Sequence, residues 1–214
     1  MTSIENYISD VSCLLSKAPT DSIQRVADLV LDAYMYGRGV YVMGNGGSAA
    51  TASHLACDLQ KSVGLCGDRK FKVMALTDST PLLTAWANDF DYSDVFASQL
   101  ATWIQPGDVV IGISGSGNSA NVVKAIETAG KLGAVTVAIT GFDGGRLSPK
   151  AMHSIIMPSE DMQHIEDSHM VVAHLIFRYV LDAIAEKDGA AKAIPASVMV
   201  INEATCASAP IVKD

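Results

Sequence analysis

Three hydroxyls crowd one short loop of this sequence, Ser114-Gly115-Ser116-Gly117-Asn118-Ser119. Gly115 and Gly117 let the backbone approach a ligand closely. The periodic segment from Asn121 to Leu132 reads as a helix, whose start offers unpaired N–H groups and a partial positive charge. The combination suits an anion, most simply a phosphate monoester held by Ser114, Ser116 and Ser119 as neutral donors. The loop departs from the dinucleotide fingerprint, since Ala120 stands where the third glycine is usual, and it lacks the lysine of a P-loop. The plain alternative is a Ser/Gly connector that caps a helix.

A second group lies at His54 and Asp58, four apart on an expected helix and so one turn from each other on one face. An imidazole and a carboxylate at this spacing can hold a divalent metal, or the carboxylate can act as a base beside the ring. Such pairs are commonly plain surface pairs. This one follows another small-residue loop, Gly44-Asn45-Gly46-Gly47-Ser48, which ties it to a site. Toward the C-terminus Gln163, His164, Glu166, Asp167, His169 and His174 gather in an otherwise apolar segment. Acids in a helix's first turn complement its dipole, which accounts for Glu166 and Asp167. His174 lies well inside the apolar part, where a core histidine and a functional one are equally consistent.

The elements that must position these groups follow from periodicity. Residues 3–17 and 21–36 read as helices, broken by Pro19-Thr20-Asp21 and stopped by Gly37 and Gly39. Strands are expected at 40–43, 72–76, 109–113, 135–139 and 154–157. Helices fall between them, at 49–61 and 121–132 among others, which is the order of a parallel sheet covered on both faces. Ligands in such sheets sit beyond the carboxyl ends of strands, where both Gly/Ser loops fall, so the two loops are expected to share one site. A long helix is expected at about 162–187, apolar almost all round except for His174, Arg178 and Asp182, and is read as an oligomer contact. A single domain at 1–190 is expected, followed by a tail at 191–214 with one short strand near 198–201.

Composition narrows the partners. A net charge of −8 with scattered lysines and arginines argues against a nucleic-acid surface. Four cysteines, Cys13, Cys57, Cys66 and Cys206, form no CxxC pair and read as reduced thiols of a cytoplasmic protein. The first residues show no signal-peptide pattern. No run of about 18 uncharged apolar residues argues for a membrane span. With 49% hydrophobic residues, surplus apolar surface is expected to be buried between subunits.

Taken together, Gly44-Asn45-Gly46-Gly47-Ser48, Asn88-Asp89-Phe90, the serine loop, Thr140-Gly141-Phe142-Asp143-Gly144-Gly145 and the histidines of the last helix resemble the sugar isomerase (SIS) domain family, and within it the phosphoheptose isomerases, over roughly residues 5–187. The resemblance implies a flavodoxin-like three-layer α/β sandwich with a five-stranded parallel sheet, a homotetramer with shared active sites, and isomerisation of sedoheptulose 7-phosphate to D-glycero-D-manno-heptose 7-phosphate through an enediol(ate), a step of heptose biosynthesis. Carried over by motif, Asn45, Gly46, Gly47, Ser48, Ser114, Gly115, Ser116 and Ser119 contact the substrate and its phosphate, and Asn88, Asp89 and Glu166 contact the sugar. The resemblance also implies one zinc per subunit, held by His54, Asp58, Glu166 and His174. Asp58 and His174 are then the proton-moving pair. Where the family carries Glu, Gln and Thr, this chain carries Asp58, Glu166 and Gly115. The first two changes alter reach and charge and bear on the substrate and the base, and the third removes one hydroxyl near the phosphate.

Glu166 and His174 are eight residues apart, about 12 Å along a continuous helix and about 80° around it. For both to reach one ion, the helix must unwind near Glu166 or the ligands must come from different chains, and the second suits the over-apolar helix. Two other readings remain at this level. One is a non-catalytic SIS module that binds a sugar phosphate or a DnaA-like partner, against which the retained His and carboxylate set weighs. The other is an isomerase of a different sugar phosphate, such as a pentose phosphate.

Overall fold

The computed structural model describes residues 3–63 and 69–187. The expected tail, its short strand near 198–201, Cys66 and Cys206 lie outside the described residues. In chain order the elements are α1 (Ile4–Ser16), α2 (Thr20–Met35), β1 (Gly39–Met43), α3 (Gly47–Asp58), β2 (Lys72–Ala75), α4 (Thr80–Asp89), α5 (Ala97–Trp103), β3 (Val109–Ser114), α6 (Ala120–Lys131), β4 (Val135–Thr140), β5 (His153–Ile156) and α7 (Met162–Lys187). All strand pairs are parallel, in the order β2-β1-β3-β4-β5. That is the flavodoxin-like order, in which the chain reverses direction across the sheet between β1 and β3.

Alternation along the strands splits the core into two layers. Val109, Ile111 and Ile113 of β3, with Val137 and Ile139 of β4, pack under α1, α2, α3 and α7. Val110 and Ala138 face the other way, toward α5 and α6, with Phe96, Leu100, Val122 and Ile126. Burial on both faces explains why β3 reads as an unbroken apolar run instead of an alternating one. Asp108, a buried carboxylate just before β3, accepts from Gly39 N at 2.7 Å and Gln105 N at 2.8 Å. It thereby fastens the start of β1 to the start of β3 and satisfies its own charge with backbone donors.

At α3 the boundary differs from the periodic reading, and at α7 it agrees. α3 begins at Gly47, so Ser48 lies in its first turn, and it passes at Leu59–Val63 into one π-helical turn. α7 is unbroken from Met162 to Lys187, so no unwinding near Glu166 occurs. By length and composition α7 could cross a bilayer, yet 56% of its apolar window is buried inside the protein, packed on α2, α3 and α1. It is the central helix of one layer. Leu175 and Tyr179 remain exposed on it.

Candidate active site

The serine loop is fastened from outside itself. Gly117 N donates to Ser114 O at 3.0 Å and closes the turn, Gly141 N donates to Gly115 O at 2.9 Å, and Leu147 N donates to Gly117 O at 2.9 Å. Arg146 adds two bonds to Asn118, from its backbone N to Oδ1 at 3.2 Å and from Nη2 to the carbonyl at 2.8 Å. Gly117 has φ +65° and lies so close to Gly144 that a Cβ there would collide with the Gly144 carbonyl. Only glycine meets both demands. Ser114 Oγ and Ser119 Oγ are 3.1 Å apart, and Ser116 Oγ accepts from Asn118 N at 3.3 Å.

Asn45, Ser48, Ile113, Ser114, Gly115, Ser116, Ser119, Met162 and Glu166 line one cavity of about 150 Å³. The two Gly/Ser loops therefore do meet, at the carboxyl ends of β1 and β3. Ser48 and Ser114 are buried, while Glu166 is half-buried. Its carboxylate lies against the first turn of α3, where a Cβ on Gly47 would come within 2.5 Å of Glu166 Oε2. A negative group there is favoured by the helix dipole. Met162 Sδ occupies the space where a side chain on residue 115 would begin. That is the local reason a glycine stands at 115.

Farther along α3, His54 and Asp58 meet His174 of α7. His54 Nε2 lies 3.1 Å from His174 Nε2 and 3.3 Å from Asp58 Oδ2, and His174 Nε2 lies 4.0 Å from the same oxygen. The two imidazole side chains are close to half exposed, at 47% and 48%. Glu166 is not among them. It lies eight residues before His174 on α7, level with the beginning of α3, while His174 is level with His54.

Gly46 is exposed at the start of α3 with φ +56°, and its carbonyl accepts from Ala49 N and Ala50 N. Asn88 and Asp89 end α4, bonded to each other at 2.8 Å. Asp89 borders a separate shallow depression with Ala85, Trp86 and Phe90, so within one chain this pair is not brought into the serine-lined cavity. Sequence reasoning missed three groups that shape the site: Asn121 and Tyr92, both bonded to Asn45, and Arg146 on the serine loop. A polar residue in the first turn after the loop was the available signal for Asn121. Nothing in the sequence spacing pointed to the other two.

The sheet order, the paired small-residue loops beyond β1 and β3, and the His–carboxylate face of α3 define one class of protein. Residues 6–141 match the SIS domain family, and the chain belongs to it. Its relatives are phosphoheptose isomerases. The enzyme of Aquifex aeolicus is 38% identical over 164 residues, covering 76% of this chain and 84% of that one. Two solved phosphoheptose isomerases superimpose well. That of Neisseria gonorrhoeae does so with a TM-score of 0.78 and 29% identity over 85% of this chain and 97% of its own. For that of Francisella tularensis the TM-score is 0.77 and the identity 26%, over 86% of this chain and 100% of its own.

Proposed function

We propose that this chain is an aldose–ketose isomerase that converts sedoheptulose 7-phosphate to D-glycero-D-manno-heptose 7-phosphate. The observation that carries the reading is the presence of two unlike groups along one helix, the serine-lined cavity at the start of α3 and the His54–Asp58–His174 cluster farther along it. Ser48 and His54 are six residues apart, about 9 Å along the helix axis. An extended chain advances about 1.2 Å per bond, so the bonds from phosphorus to C2 span about 8 Å in a ketoheptose 7-phosphate and about 6 Å in a ketopentose 5-phosphate. The longer substrate bridges the two groups, which favours a seven-carbon sugar over a five-carbon one.

The cluster fits a divalent metal. Two imidazole nitrogens and a carboxylate oxygen lie within 4.8 Å of one another. Bonds of about 2.0–2.1 Å around tetrahedral zinc set its ligand atoms about 3.3 Å apart, close to the spacings seen. His54, Asp58 and His174 would hold a zinc ion, which when bound would supply Lewis acidity toward the sugar's carbonyl oxygen. Glu166 of the same chain sits about 11 Å from that cluster along α3, so a Glu166 ligand would come from a second subunit. Exposed Leu175 and Tyr179 support such an assembly, a homotetramer with shared sites in this reading.

Converting the ketose to the aldose moves one proton from C1 to C2 and another between the two oxygens. Asp58 takes the carbon-bound proton. Its Oδ2 faces the imidazoles, leaving Oδ1 for the transfer. His174, whose Nε2 lies 4.0 Å from that Oδ2, moves the oxygen-bound proton from the same side of the sugar as Asp58. Ser114, Ser116 and Ser119 hold the phosphate with hydroxyls, and that remote binding energy aligns the reacting carbons.

The test is incubation of the purified protein with sedoheptulose 7-phosphate in deuterated water, followed by NMR. Appearance of the aldose with deuterium at C2 is expected. Tight binding of the sugar phosphate without turnover would replace this reading with the non-catalytic SIS module.

A further inference from the structure

The Asn45 carboxamide is held at both of its ends. Its Nδ2 donates to Asn121 Oδ1 at 2.9 Å, Asn121 Nδ2 donates back to Asn45 Oδ1 at 2.9 Å, and the Tyr92 hydroxyl donates to that same oxygen at 3.0 Å. Asn121 is 2% exposed, and its Oδ1 also accepts from Val122 N at 3.0 Å. The backbone N–H therefore dictates which end of the Asn121 amide is oxygen, and Asn121 in turn dictates which end of the Asn45 amide is oxygen.

A carboxamide carries two acceptor lone pairs and two N–H donors. At Asn45 both lone pairs are taken and one N–H is engaged, so a single N–H remains for the cavity that Asn45 shares with Ser48, Ser114, Ser116 and Ser119. An amide free to rotate would offer an acceptor as readily as a donor. Beside a phosphate dianion an acceptor is repelled, whereas a donor gains a charge-assisted bond.

We infer that Asn121 and Tyr92 are positioning residues that lock Asn45 as a donor-only contact for an anionic oxygen of the sugar phosphate. The inference rests on the sugar-phosphate reading above. It deepens that reading by assigning selectivity for an oxyanion to two residues that touch no substrate. The half-buried Glu166 carboxylate in the same cavity makes the lock matter, because without it the Asn45 N–H groups could turn toward Glu166 instead of the ligand.

The experiment measures the dissociation constant of inorganic phosphate by calorimetry, with KM and kcat for the sugar phosphate alongside. Asn121→Ala is expected to weaken phosphate and raise KM about tenfold, as for a lost bond to a charged group, with kcat changed less than KM. Tyr92→Phe, on a side chain that is largely exposed, is expected to weaken both about threefold, since it removes one of the two bonds to Oδ1. Asn121→Asp supplies a readout that plain packing would not move. At pH 8 its carboxylate cannot donate to Asn45 Oδ1, and the loss should match that of Asn121→Ala. As pH falls the buried carboxyl, whose pKa burial raises, protonates and regains an O–H donor. Affinity should then return toward that of the parent protein at the same pH, while Asn121→Ala stays weak.

Values for Asn121→Ala and Tyr92→Phe within twofold of the parent would overturn the lock, and so would an Asn121→Asp protein as weak at pH 5.5 as at pH 8. If both Asn121 variants fail to fold, Tyr92→Phe decides alone by the same twofold criterion. A parent protein that binds no phosphate at all would instead overturn the sugar-phosphate reading, and the lock with it.

Discussion

The two ends of the site are built in opposite ways. The serine-lined cavity is made largely of loops at the carboxyl ends of the interior strands β1 and β3, with Ser48 and Ser114 buried and a backbone fastened by the 141–147 segment. The His54–Asp58–His174 cluster is made of side chains on two helix faces, about half exposed at both imidazoles, and held in place chiefly by one another. A grip that must bind one constant group, a phosphate, is best prebuilt, since every rotamer fixed in advance is one that binding need not fix. Groups that move protons must instead meet a sugar that changes shape as it reacts. Their open side leaves room for that sugar.

The comparison breaks most sharply at Asp58. Asp58→Asn should lower kcat about a thousandfold, the loss expected for removal of a positioned base, with inorganic phosphate affinity within twofold of the parent. Steady-state kinetics paired with calorimetry checks this, and weakened phosphate binding would join the two ends into one unit. The converse substitution is Gly117→Val. A side chain at φ +65° against the Gly144 carbonyl should cost about 3 kcal/mol of stability and abolish phosphate binding. Zinc uptake by the histidines should survive at temperatures where the variant is folded, as seen by thermal unfolding and metal titration.

A smaller effect tests where Glu166 belongs. Its carboxylate shares the cavity with the serines, so Glu166→Gln should tighten inorganic phosphate by about 1 kcal/mol, a like-charge repulsion in a partly solvated site. Competition with a chelator on the same variant separates the two roles. Weaker zinc retention assigns Glu166 to the metal across a subunit boundary, whereas unchanged retention confines it to the phosphate end.

The smallest expected effect is on acid stability and lies between the two ends, at His169 of α7. Burial pushes this imidazole below its ordinary value, against a lesser pull from the Thr140 backbone. The unfolded chain then binds the proton more readily than the folded one. The contribution of His169 to stability is full above about pH 6.5 and is lost as pH falls from there toward its lower folded value. Melting temperatures from pH 7.5 to pH 5 should fall more steeply in the parent than in His169→Phe, and equal slopes would remove His169 from the account.

What the sequence revealed follows the same division. The serine loop, the strand before it and the i, i+4 pair on α3 are local patterns, and local patterns carry periodicity and spacing that can be read directly. A parallel sheet covered on both faces followed from the strand–helix alternation, while its flavodoxin-like arrangement was implied by the family resemblance. Depth was not legible. That Glu166 lies against Gly47 while His174 reaches His54 depends on how α7 lies along α3, a tertiary fact that no spacing within α7 encodes. The bonds from Asn121 and Tyr92 to Asn45 likewise join residues 76 and 47 positions apart. Gly115 read as a lost hydroxyl until Met162 was seen filling its place.

The central claim is that one substrate bridges a phosphate grip and a proton-moving cluster about 9 Å apart along α3. Its most direct test is kcat/KM for a ladder of ketose phosphates of five, six and seven carbons, phosphorylated at the terminal carbon, with free sedoheptulose as the control. The account predicts a rise with each carbon to a maximum at seven, and very poor turnover of the unphosphorylated sugar. A maximum at five carbons, or equal turnover of sedoheptulose with and without its phosphate, would contradict it.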